Sequence, residues 1–195
     1  MQGRGSRSIS GRTPPPLRGL LLCFALTACA GEDAAPPQAP PADLSAAALR
    51  SATYPSPYVE AGVVRLTAGR FEDAARRVTV YLMPEYAVGD LDADGVPDAA
   101  AILATDAGGS GTFLDLAAVL NREGVPECEA ILFLGDRIPV ERIRIVGDEI
   151  QLDVTMHGPA DPMCCPSVQA TRRFRLEGDT LVEIPADDEG GDDAP

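Results

Sequence analysis

Ile143-Arg144-Ile145-Val146-Gly147-Asp148-Glu149-Ile150-Gln151-Leu152-Asp153-Val154 decides the fold class. Apolar and polar residues alternate on both sides of a Gly-Asp pair, the period-two pattern of two half-buried strands joined by a tight turn. Phe174-Arg175-Leu176-Glu177-Gly178-Asp179-Thr180-Leu181 repeats the device. Further strand candidates are residues 78–83, 99–104, 113–120 and 131–134, each flanked by Gly, Pro or Asp. Short connections between successive strands favour an antiparallel meander over parallel βαβ units. Ahead of them, residues 44–50 predict a short helix capped by Asp43 or Ser45. The expected fold is mainly β, an antiparallel meander or a small barrel or sandwich with a short N-terminal helix, in one domain over residues 44–184. No internal repeat is long enough to build a propeller or solenoid.

The two ends differ in kind from this middle. Arg4, Arg7, Arg12 and Arg18 precede an apolar segment, Gly19 to Ala28, that closes on Leu26-Thr27-Ala28-Cys29. A basic start, a short apolar core and small residues before a cut are the parts of a secretory signal, and the core is too short to span a hydrocarbon layer of roughly 30 Å. The cysteine directly after the small residues makes residues 1–28 a lipoprotein signal peptide, with Cys29 the expected lipidation site and first mature residue. Acyl chains there would hold the protein on a membrane at about 0.8 kcal/mol per buried CH₂. Residues 29–43 are rich in Pro and Ala and read as a tether; residues 185–195 carry like charges and read as an acidic, disordered tail. Ala30, rather than Asp, after the lipidated cysteine points by resemblance to lipoprotein sorting rules toward the outer membrane of a Gram-negative envelope.

Loss of the signal would leave twelve basic residues against thirty acidic ones. Such a balance argues against nucleic acid, whose phosphates need a basic footprint, and suits a solvated surface, divalent cations or a basic envelope partner. Every basic residue is Arg, so Schiff-base lysines and the P-loop lysine are excluded. His157 is the single histidine, which excludes multi-histidine zinc sites, and the lack of Trp weighs against a sugar- or base-stacking groove.

The sharpest chemical motif is Gly89-Asp90-Leu91-Asp92-Ala93-Asp94-Gly95-Val96-Pro97-Asp98. Asp90, Asp92 and Asp94 stand at positions 1, 3 and 5 of a calcium loop, Gly95 supplies the turn at 6, Val96 offers a carbonyl at 7 and Asp98 stands at 9. Position 12 is Ala101 in place of the bidentate glutamate, so this is not an EF-hand. The same spacing also suits a tight turn in which Asp side chains cap backbone amides. Both readings stay open. The loop resembles the Asp-rich calcium loops of FG-GAP and VCBS repeats, which lie between strands; a single copy departs from the propellers in which those repeats occur.

Beyond Cys29, the cysteines are Cys128, Cys164 and Cys165, apart from Cys23 in the signal. In an oxidising compartment the expected bridge runs from Cys128 to Cys164 or Cys165, closing a loop of about 37 residues and contributing roughly 3 to 4 kcal/mol. Cys164 with Cys165 would instead form a strained vicinal pair, a redox element. A third reading notes soft copper ligands close in sequence, Met156, His157, Met163, Cys164 and Cys165, although strand alternation turns Met156 inward and His157 outward.

Asp106-Ala107-Gly108-Gly109-Ser110-Gly111-Thr112-Phe113 fails as a nucleophile elbow, because Thr112 stands where glycine is needed and a strand follows. Taken with the Asp loop, this segment, Leu134-Gly135-Asp136-Arg137 and Asp161-Pro162-Met163-Cys164-Cys165-Pro166 resemble a group of bacterial envelope lipoproteins carrying a Gly-Asp-Leu-Asn-Gly-Asp-Gly type loop. That resemblance implies a location and no activity. The expected function is a membrane-anchored, non-catalytic binding or structural module with one calcium site; the alternatives are a binder or inhibitor of a basic envelope partner, or a redox or hydrolytic enzyme using Cys164 and Cys165 or Ser110.

Overall fold

The computed structural model describes residues 44–162 and 165–185. The expected signal peptide, tether and Cys29, most of the acidic tail, and Met163 and Cys164 lie outside the described residues. The alternation that opens the sequence reading forms β8 (Val140–Val146) and β9 (Glu149–Met156), paired antiparallel with Val146 opposite Glu149. Gly147, at φ +64, takes the first position of the two-residue loop, a left-handed conformation that favours glycine. The second repeat forms β10 (Val168–Glu177) and β11 (Thr180–Ile184), and the four strands make one sheet in the order β11-β10-β9-β8.

A second meander lies ahead of it. β3 (Arg70–Asp73), β4 (Val78–Gly89), β5 (Asp98–Asp106), β6 (Phe113–Arg122) and β7 (Val125–Asp136) pair in chain order as a five-stranded antiparallel sheet. Neither sheet closes on itself, so the fold is a sandwich and not a barrel. β4 passes through Pro84, which has no N–H to give to a ladder. The register with β5 accordingly jumps from Leu82 opposite Leu103 to Tyr86 opposite Ala101, leaving Met83, Pro84 and Glu85 in a bulge.

The five-stranded sheet is covered on both faces. Ala100, Ile102, Leu116, Ala118 and Leu120 pack with Ile150, Leu152, Val154 and Phe174 of the four-stranded sheet. Ala99, Ala101, Leu103, Ala117 and Val119 face the other way, toward an N-terminal layer. That layer holds α1 (Ala46–Leu49), β1 (Thr53–Pro55) and β2 (Val63–Arg65), the two strands pairing antiparallel. The expected helix is thus one turn, capped by Ser45, whose Oγ accepts from the Ala48 N–H at 3.1 Å. Leu49, Tyr54, Val64 and Leu66 are its buried anchors, each worth about 1.5–3 kcal/mol by transfer from water. Tyr54 donates its hydroxyl to the Leu49 carbonyl at 2.9 Å, and burial, with Cys128 adding, keeps its pKa well above the ordinary phenol value.

One polar group breaks the apolar pattern of the middle sheet. Asp115 on β6 is only 6 % exposed. Desolvation pushes its pKa up to about 6. Tyr58, stacked on Phe113 at a centroid distance of 5.3 Å, feels its charge: burial, then Asp115 and Asp136, raise the Tyr58 pKa. A carboxyl whose pKa rises on folding holds its proton more tightly in the folded state. Its contribution to stability is therefore complete below the unfolded value of about 4 and is lost as pH rises through the folded one. Asp115→Asn is expected to raise stability at pH 7 by roughly 1–3 kcal/mol and to flatten the pH dependence between about 4 and 6. Urea titrations of both proteins across that range check it; a variant less stable than wild type at pH 7 contradicts it.

Candidate functional site

The Asp loop leaves the end of β4 and enters β5, where Asp98 is the first residue. Two side chains tie the loop to the core. Leu91 is buried in the cluster between the two sheets, and Asp98, 1 % exposed, accepts from the Leu91 N–H at 2.9 Å and the Asn121 N–H at 2.8 Å. Asn121 continues the clasp, donating from Nδ2 to the Pro97 carbonyl and accepting at Oδ1 from the Gly124 N–H. Desolvation raises the pKa of Asp98 against these two amide bonds, and the charges of Asp92 and Asp94 add to the rise.

The remaining carboxylates order the turn. Asp90 accepts from the N–H groups of Asp94 and Gly95, and Asp94 accepts from Val96 at 2.7 Å. Asp92 also accepts from Asp94. Ala93 and Gly95 take left-handed backbone, φ +59 and +83, which bends the chain sharply enough to aim these groups inward. Asx-type capping of amides is therefore present throughout the loop. At the same time Asp90, Asp92 and Asp98 each offer an oxygen within 4.8 Å of the others, the one such cluster among the described residues. Asp94 is not a member of this group. Each carboxylate oxygen that accepts one amide retains a lone pair, so amide capping and cation binding are compatible.

Arg122, at the end of β6, is the residue that a local reading of the loop misses. Its Nη1 lies 3.2 Å from Asp92 Oδ2 and 4.0 Å from Asp94 Oδ2, and it offsets part of the loop's charge. Only the pairing of β5 with β6 brings it there. Beside it opens a cleft of about 520 Å³, lined by Asp92, Glu129, Asp148 and Asp179 with Arg122 as the one basic lining residue.

No family model, curated protein or solved structure matches this chain. Function has to be read from the geometry and the sequence.

The other sequence candidates are dispersed. The expected bridge from Cys128 does not form: Cys128 is a free thiol, while Cys165 is disulfide-bonded. The reason is the layering. Cys128 lies opposite Val119 and packs with the N-terminal core, its Sγ 3.6 Å from the Ala130 carbonyl, whereas Cys165 belongs to the β9–β10 connection of the other sheet. Burial, with Glu129 adding, pushes the Cys128 pKa up to about 12, so it behaves as a small apolar side chain. Met156 packs against the inter-sheet core as expected. His157 corrects the expected outward turn: β9 ends at Met156, alternation stops, and both ring nitrogens are buried without a hydrogen-bond partner among the described residues. Ser110 is exposed in the β5–β6 loop and makes no hydrogen bond to His157, so no Ser–His pair is assembled.

Proposed function

We propose that this chain is a lipid-anchored protein of the bacterial envelope, a non-catalytic binding or structural module whose Asp loop holds one calcium ion. The convergence of Asp90, Asp92 and Asp98 carries the calcium reading, because calcium takes several hard oxygens at one centre and Asp98 is fixed by the core before any ion arrives. A divalent ion would offset the mutual repulsion that Arg122 offsets only in part. The lipobox at Leu26 to Cys29 supports the anchor, and Ala30 supports outer-membrane sorting. A basic envelope partner is the second reading, favoured by the acidic cleft beside the loop.

Calcium binds the folded loop alone, so melting temperature is expected to climb with its concentration. Saturation a hundredfold above Kd adds about 2.7 kcal/mol, and each kcal/mol moves a domain of this size by roughly 2–6 °C. The Asp90→Asn/Asp92→Asn double variant is expected to lose the response. A flat melting temperature for the folded wild type up to about 10 mM calcium, well above weak extracellular-type affinities, contradicts the site.

Cys29→Ser removes the thiol that accepts the lipid. Labelled palmitate is expected in the wild type and not in the variant. Label retained by the variant contradicts the anchor.

A further inference from the structure

Phe113, Asp115 and Phe133 stand together on the face of the five-stranded sheet that the N-terminal layer covers. Phe113 and Asp115 are two residues apart on β6, so their side chains leave the same face, and Phe133 of β7 is the register partner of Asp115. Tyr58, from the connection between β1 and β2, completes the group. Its ring stacks on Phe113 at 5.3 Å between centroids and 11° between planes, and Phe133 tilts against Phe113 at 6.3 Å and 54°. Phe133 is 54 % exposed, so the cluster opens to solvent on that side.

The field at these rings is negative. Asp115 and Asp136 both raise the Tyr58 pKa, so two carboxylates on neighbouring strands act on one hydroxyl. Asp136 is satisfied by the Thr112 N–H at 2.8 Å and by Arg137 Nη2 at 2.9 Å. Asp115 differs from it: desolvation by burial is the single cause of its raised pKa, with no hydrogen bond or cation drawing it back. Its oxygens are also not among the fully buried, unpartnered polar atoms of the described residues, so they keep a path to solvent.

A desolvated carboxylate beside the electron-rich faces of aromatic rings selects its ligand by charge and by hydration. Anions are repelled by both. A neutral apolar molecule leaves the carboxylate without a counterion. A small inorganic cation needs several oxygens at one centre, where this cluster offers rings. An alkylated ammonium ion meets both requirements, because its methyl groups lie against ring faces while its charge answers the carboxylate.

We propose that Tyr58, Phe113, Phe133 and Asp115 form a site for an alkylated ammonium ion of the choline type, its charge beside Asp115 and its methyl groups against the rings. The site is distinct from the Asp loop and does not depend on calcium.

Titration calorimetry of the full chain with choline tests it, with the uncharged alcohol in which carbon replaces the ammonium nitrogen as the control. Saturable choline binding is expected near neutral pH, at least about tenfold tighter than the alcohol. The ionised carboxylate is the form that binds and its pKa is about 6, so affinity is expected to fall about tenfold from about pH 7 to about pH 5. Asp115→Asn is expected to lose both the preference for charge and the pH dependence. Phe133→Leu, at a half-exposed position, is expected to weaken choline binding about two- to tenfold. NMR of the wild type needs no variant to fold: choline is expected to shift the ring protons of Tyr58, Phe113 and Phe133 first. Phosphatidylcholine vesicles that displace choline assign the site to a lipid headgroup; vesicles that leave it bound assign the site to a free solute. Absence of saturable choline binding, equal affinity for the alcohol, affinity independent of pH, or ring shifts confined to other residues overturns the proposal.

Discussion

Burial of β5 and β6 on both faces is the constraint on which the other features depend. A strand with one wet face can alternate apolar and polar residues; these two cannot, and eight consecutive positions of each are buried. The alanines at 99–101 and 117–118 keep the middle of the sheet thin, so that layers above and below can approach it. The N-terminal segment is therefore part of the core and not an appendage to it. Without Leu49, Tyr54, Val64 and Leu66, one face of the central sheet would lie bare to water.

The same constraint positions the candidate chemistry. Asp98 is both the first residue of the most buried strand and the last acidic residue of the Asp loop, so the loop inherits the rigidity of the sheet. Its carboxylate is fastened by amides from two directions, one from the loop and one from β6. Asp90 and Asp92 then need only local turn geometry to converge on it. The apolar cavity where β7 crosses into β8 has the opposite origin. There the regular pairing lapses, at the Pro84 bulge and at the step from one sheet to the other, and a space of about 330 Å³ is left that side chains of the described residues do not fill.

Much of this was legible in the sequence where the cause is local. The two C-terminal hairpins announce themselves because each has a wet face and a glycine turn. The Asp loop and its turn residues follow from spacing alone. Elements governed by distant partners were not legible. β1, β2 and β3 are three or four residues long and show no period, and β4 continues past a proline that a linear reading treats as a stop. β7 reaches back to Val125 through a half-exposed stretch containing Pro126, Glu127 and Glu129, so its apolar run marks only its later part. Arg122, Asn121 and the state of Cys128 depend on strand register and on which layer a side chain faces, and neither is written in spacing.

Hydrogen–deuterium exchange of the full chain, followed by peptide, tests the two-sided burial of the central sheet most directly. Residues 98–106 and 113–122 are expected to exchange last, at the rate set by global unfolding, after the edge strands β3 and β11. Exchange of those two segments as fast as either edge strand would contradict the account.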